Sequence, residues 1–235
     1  MNSSSSLERP KAWLAWSSGK DSAWALHTIR QRGDFNIVAL LTTVNRGHQR
    51  VAMHAVRESL LEMQATAAGL PLVKVMIPTP CPNEFYEKAM AEAMLHARAE
   101  GVSHVVFGDL FLEDIRAYRE KQLAGCGMTP VFPLWRRGTQ RLAEEMLAGG
   151  LSAYLTCIDP GKLRREFAGR RFDADLLAAL PSSVDPCGEN GEFHTFACAG
   201  PMFHSAIPVA VGEIVERDSF VFADLVPGAA ATVAV

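Results

Sequence analysis

Short apolar runs alternate with stretches of helical periodicity along the first half of this chain, and that alternation admits few folds. Residues 12–17 form an apolar run, and 20–31 a helical pattern closed by Gly33, a residue suited to the left-handed turn that ends a helix. Residues 36–44 (NIVALLTTV) are almost continuously apolar, as a strand buried on both faces requires. Met53, Val56, Leu60, Met63 and Ala67 then share one helical stripe, and 72–77 is a third run. Pro82 and Asn83 open another helix, with Asn83 as its cap and Phe85, Ala89, Ala93 and Ala97 as its apolar face up to Gly101. Runs at 104–110 and 128–134 bring the number of strands to five. The pattern predicts an α/β domain over residues 8–136, a doubly wound parallel five-stranded sheet with helices on both faces.

From 137 to 235 the pattern changes. Residues 139–147 are helical, 153–158 form a strand, and 162–180 are mostly helical and basic at their start; short strands and turns follow Pro181. A smaller C-terminal α/β region is expected, packed tightly because no linker is visible. The opening MNSSSSLERPK lacks the apolar core of a signal peptide, and no run approaches the ~20 apolar residues of a membrane span. The net charge of −3 offers no general attraction to nucleic acid or to an anionic membrane. Five scattered cysteines with no C-x-x-C pair signal neither a disulfide framework nor a thiolate zinc site, which fits reduced thiols in a cytoplasmic protein. The oligomeric state is left open, a homo-oligomer included.

Two segments carry the chemistry. The first is AWSSGKDSAW, where an apolar run gives way to a helix. A helix start leaves backbone N–H groups unpaired and carries about half a positive charge, so a small-residue turn there lets an anion approach closely. Ser17, Ser18 and Gly19 supply the turn, Lys20 a full charge and Ser22 a hydroxyl. A Walker A loop is excluded, because Leu14 and Asp21 stand where that motif needs glycine and serine or threonine. The second is VDPCGENGEFHTF, residues 184–196, in which Gly188 and Gly191 bracket Glu189-Asn190 in a tight turn. An extended strand from Glu192 onwards would put Glu192, His194 and Phe196 on one side, a carboxylate and an imidazole able to bind a cation, orient an amine or move protons.

The S-S-G-K-D-S stretch at 17–22 resembles the S-G-G-x-D-S loop of the PP-loop ATPases, with Ser18 in place of a glycine. Segment 184–196, together with VVFGDLFLEDIRAYRE at 105–120, resembles the diphthine–ammonia ligase family and its bacterial relatives, and the likeness runs from residue 12 to about 205. That resemblance implies a Rossmann-like (HUP-type) nucleotide fold and a minimal ligase unit without the extra C-terminal domains of eukaryotic members. It also implies an enzyme that uses ATP and Mg²⁺ to adenylylate a carboxylate, protein-borne or small, which ammonia then converts to an amide. Ser17, Ser18, Gly19, Lys20, Asp21, Ser22, Gly108 and Asp109 become nucleotide-binding, with Asp21 also on the metal. Lys20, Asp21, Glu189, Glu192 and His194 become catalytic. Asn190, Asp114, Arg116, Tyr118 and Thr156 are candidates for holding substrate. Two alternatives share the loop: a PP-loop enzyme acting on tRNA or another metabolite, and a nucleotide-binding protein without turnover. For Cys187 a small packed thiol is expected rather than a nucleophile, and for the basic run Lys162, Arg164, Arg165, Arg170 and Arg171 a solvated face.

Overall fold

The computed structural model describes residues 9–45, 50–51 and 56–228. Met53, His48, His54, most of the polar lead-in and most of the small-residue tail lie outside the described residues. The N-terminal half comprises β1 (Lys11–Ala15), α1 (Lys20–Arg32), β2 (Asn36–Asn45), β3 (Arg50–Val51), α2 (Glu58–Ala68), β4 (Leu72–Ile77), α3 (Asn83–Ala99), β5 (Val102–Val106), α4 (Glu113–Gly125) and β6 (Thr129–Val131). Five parallel strands lie in the order β4-β2-β1-β5-β6, and the two-residue β3 adds antiparallel to the end of β2. The strand order reverses between β1 and β5, which is where sheets of this kind open a crevice for ligands.

Alternation along β1 shows why both faces are covered. Ala12 and Leu14 point into a core shared with α1 and α2, and Trp13 points the other way, into a core with Met94 and Ala97 of α3 and Leu123 of α4. Gly33 ends α1 in the left-handed conformation, as the sequence predicts, its N–H returning to Ile29. On α3 the expectation is corrected. Pro82, not Asn83, occupies the cap position, and Phe85 is 62% exposed. Ala89, Ala93 and Ala97 pack over the sheet as expected, and Tyr86, Met90 and Met94 join them there in place of Phe85.

The C-terminal half comprises α5 (Thr139–Ala148), β7 (Ser152–Ile158), a 3₁₀ turn (Arg165–Phe167), β8 (Arg171–Phe172), α6 (Ala174–Ala179), β9 (Phe193–Ala199), β10 (Val209–Arg217) and β11 (Phe220–Pro227). It forms a second, antiparallel sheet with β7 paired to β8, β9 and β11, and β10 on the edge. The long helix expected over 162–180 is not formed. Gly169 sits at φ +78°, where a Cβ would meet Val211 at 2.8 Å, so the chain folds back there. A new helix then starts at Asp173, whose carboxylate accepts the Leu176 N–H at 2.8 Å.

The two sheets share one continuous core, which runs from Leu14 and Leu26 through Leu142 and Met146 to Leu155, Phe172 and Phe196. A buried polar contact between them is made by Gln64, a fully buried residue of α2. Its Oε1 accepts the Trp16 indole N–H at 2.9 Å, and its Nε2 donates to the carbonyls of Ser18 (2.9 Å) and Ala197 (2.7 Å). One amide thus satisfies three buried groups from both halves. Replacing it by leucine leaves the buried Trp16 indole N–H without its acceptor and takes one donor from each carbonyl, the Ser18 carbonyl keeping the Ala197 N–H. Gln64→Leu is expected to lower unfolding free energy by about 2 kcal/mol in a denaturant titration. A loss below about 1 kcal/mol would contradict this role.

Candidate functional site

The turn between β1 and α1 is held from beneath by the second sheet. Ser18 adopts φ +70°, a left-handed backbone that glycine would take without strain and that costs serine about 1 kcal/mol or more. It is kept there by three bonds, two on Ser18 and one on Lys20. The Ser18 carbonyl accepts the Ala197 N–H (2.9 Å) and the Gln64 amide (2.9 Å), and the Lys20 N–H donates to the Thr195 hydroxyl at 3.0 Å. Gly19 caps α1, Ser17 Oγ accepts the Gly19 N–H and lies 3.2 Å from Ser22 Oγ, and Ser22 Oγ donates to the Gly19 carbonyl. Gly108, just past β5, presses on this turn: a Cβ there would lie 2.8–2.9 Å from the backbone of Asp21 and Ser22. Only glycine lets the two loops meet.

Above the turn opens a cleft of about 430 Å³ at the carboxyl ends of β1, β2 and β5. Ser17, Lys20, Asp21, Ser22, Gly108 and Asp109 line it from the first half, and Glu189, His194 and Thr195 from the second. Lys20 is 1% exposed. Its Nζ lies 2.8 and 3.0 Å from the two Asp21 oxygens and donates to the Cys187 carbonyl. Burial works to lower its pKa, but Asp21 above all outweighs that and holds the ammonium charged. Burial raises Asp21, with Lys20 opposing.

Glu189 Oε1 accepts the N–H groups of Leu110 (2.7 Å) and Phe111 (3.4 Å), which ties the C-terminal turn to the loop after β5. Burial nonetheless pushes its pKa up to about 7. Burial and the nearby Lys20 charge lower His194 to about 4, so the imidazole is neutral at physiological pH. Asp109 pairs with Arg119 (2.5 and 3.2 Å), whose guanidinium stacks on Phe107 at the edge of the cleft.

The other candidates lie elsewhere. Glu192 precedes β9 rather than lying in it, so strand alternation does not govern it. Its Oε1 accepts the Asp185 N–H (3.1 Å) and the Asn190 amide (3.2 Å) beneath the turn, and the Asn190 carbonyl accepts Lys162 Nζ. Thr156 is buried in β7. Asp114 is exposed at the start of α4, and Arg116 stacks on Phe132 and Trp135 and pairs with Glu120. Tyr118 lines a smaller apolar pocket between α3 and α4. Cys187 is buried, its thiol 3.4 Å from the Thr139 carbonyl and pushed up by burial, the packed role expected of it. Of the basic run, Arg164 and Arg165 are exposed at the 3₁₀ turn.

Sequence reading missed Thr195, Gln64 and Asp185. Asp185 Oδ1 accepts the N–H groups of Cys187 (2.9 Å) and Glu189 (3.3 Å), and its Oδ2 accepts the Thr139 hydroxyl, so it shapes the turn that presents Glu189. An aspartate three residues before a glycine-bracketed turn is the signal that could have found it. Nothing local marks the other two, whose partners are distant in sequence.

Two family models match successive stretches of the chain. The diphthamide synthase N-terminal domain model matches residues 10–130 and the C-terminal domain model residues 138–224. The chain belongs to the diphthine–ammonia ligase family. Among its relatives, the diphthine–ammonia ligase of Rattus norvegicus is 25% identical over 182 residues, covering 75% of this chain and 68% of the relative. That of Danio rerio is 26% identical, covering 88% of this chain and 89% of the relative. The cleft is lined from both matched stretches: the turn before α1 lies in the first and Glu189 and His194 in the second. Among the described residues no helix is long and apolar enough to cross a membrane.

The raised pKa of Glu189 predicts a pH signature for this member of the diphthine–ammonia ligase family. Its folded value of about 7 stands above the ordinary 4.5, so the folded state binds the proton more tightly than the unfolded one. Between those two values the native protein loses stability as pH rises, relative to Glu189→Gln, and the difference is constant outside them. Denaturation of both proteins across that range checks this; a pH-independent difference would contradict it.

Proposed function

We propose that this chain is an ATP-dependent carboxylate–ammonia ligase that releases AMP and pyrophosphate. The reading is carried by one observation: an anion-cradling helix start and a carboxylate–imidazole pair open into the same cleft. In the first step a carboxylate oxygen attacks the α-phosphorus of ATP and pyrophosphate leaves, giving an acyl-adenylate. In the second, ammonia nitrogen attacks the acyl carbon, the C–O bond to AMP breaks, and an amide forms. The chemistry needs that activation because oxide is not a leaving group.

The residues fit these demands. The start of α1 and Lys20 neutralise charge that develops on departing pyrophosphate, a preorganised electrostatic role. Magnesium is usually held by one or two carboxylates together with substrate phosphates, and Asp21, at the helix start and facing the cleft, is the carboxylate placed to do so. Bound there it would supply further charge neutralisation. Gly108 and Asp109 close the nucleotide side. Glu189, with a pKa of about 7, and neutral His194 are suited to take the proton that the nitrogen nucleophile gives up. Glu192 and Asn190 act behind them by holding the turn. The relatives' names join diphthine with ammonia; for this chain the substrate is a carboxylate, on a protein or on a small molecule.

The test is turnover with α-phosphate-labelled ATP, magnesium, ammonium and candidate carboxylates, diphthine-bearing protein included. Labelled AMP that forms in step with an amide is expected, with Lys20→Ala lowering the rate ~10²-fold or more. Labelled ADP as product, or full activity in Lys20→Ala, would contradict the reading.

A further inference from the structure

The head group of Lys20 lies in a cage whose parts are not those of a phosphate site. Besides the Asp21 carboxylate and the Cys187 carbonyl, two aromatic rings face it: Nζ is 5.4 Å from the centroid of Phe193 and 5.6 Å from that of Phe172. Both rings are buried, at 2% and 1% exposure. Carboxylate, carbonyl and ring faces are what a desolvated ammonium group requires, since its N–H donors need acceptors and its charge is attracted to aromatic faces. The Glu189 carboxylate adds its charge to the same spot. Phosphates, by contrast, would be repelled by every one of these groups.

The rings and the carbonyl all come from the second half: Phe172 from β8, Phe193 from the start of β9, Cys187 from the turn between α6 and β9. Gly188 packs so closely on Phe193 that a Cβ would meet its carbonyl at 2.8 Å and its ring at 3.0 Å, so the turn and the ring are seated together. Lys20 is also the one cation that the β1–α1 turn itself offers to a triphosphate. A single ammonium cannot serve both places at once.

We propose that this cage is the ammonium site of the ligase, that Lys20 Nζ fills it while the nucleotide is absent, and that ATP opens it by drawing Lys20 to the phosphates. This rests on the carboxylate–ammonia reading and adds the place and order of the second substrate. Ammonium then enters after ATP, gives a proton to the Glu189 carboxylate, which lines the same cleft, and attacks as ammonia.

Binding experiments test the cage without turnover. Lys20→Ala empties it, and its melting temperature is followed against ammonium chloride, with sodium chloride keeping ionic strength constant. Saturable stabilisation by ammonium and methylammonium is expected, absent with sodium and tetramethylammonium and weakened about tenfold by adding Phe193→Leu. Ammonium acting no better than sodium, or potassium acting as well as ammonium, would overturn the assignment. Should Lys20→Ala fail to fold, calorimetry on the unaltered protein decides. Ammonium is expected to bind with α,β-methylene-ATP present and not without it; binding in both conditions or in neither overturns the proposal. The two readings fail separately. Absence of any amide product removes the ligase reading and leaves the cage measurable, whereas amide formation without nucleotide-gated ammonium binding removes the cage alone.

Discussion

The structure turns on the seating of one strand end beneath one turn. Thr195 accepts the Lys20 N–H, Ala197 donates to the Ser18 carbonyl, and Gln64 closes the gap between them. These bonds join residues distant in the sequence, and they hold Ser18 in a backbone conformation that its own side chain opposes. Strain of that kind persists only where surroundings over-determine it. Here the surroundings are the second sheet. Neither half alone could present both the helix start and the Glu189–His194 pair to one cavity.

Charge in the cleft follows from the same assembly. Lys20, buried, and Asp21, partly exposed to the cleft, neutralise each other, and removing one partner of such a pair leaves the other uncompensated and disfavoured. A ligand that enters this site must therefore bring charges of both signs, and a metal-bound triphosphate does. Glu189 and His194 are both shifted towards their neutral forms by burial. The second half thus contributes proton acceptors and aromatic surface, and the first half contributes fixed charge. That division suits the proposed ligase, whose two steps handle an anionic leaving group and then a nitrogen nucleophile.

Much of this was legible in the sequence. The apolar runs located the parallel strands, because a strand buried on both faces leaves no room for polar residues, and Gly33 marked the end of α1 by its backbone freedom. The turn at 17–22 and the segment at 184–196 were both recognisable by local composition, and the structure brings both into one cleft. What was not legible depends on distant partners. Phe85 fits the apolar stripe of α3 by type but lies outside, since the sheet selects the face with Tyr86, Met90 and Met94. Residues 162–180 have helical composition, yet the close packing of Gly169 against Val211 turns the chain. Thr195 and Gln64 belong to a strand and a helix stripe by pattern, and only their cross-chain bonds single them out. Glu192 looked equivalent to His194 by alternation, and the strand begins one residue too late for that.

The central claim is that the turn between β1 and α1 grips a triphosphate so that the α–β linkage is the one broken. A crystal structure with α,β-methylene-ATP and magnesium tests it most directly. The account predicts the phosphates against the start of α1, with the Lys20–Asp21 pair separated, Lys20 on phosphate oxygens and Asp21 on the metal. Nucleotide bound elsewhere, with the pair intact and the turn vacant, would contradict it.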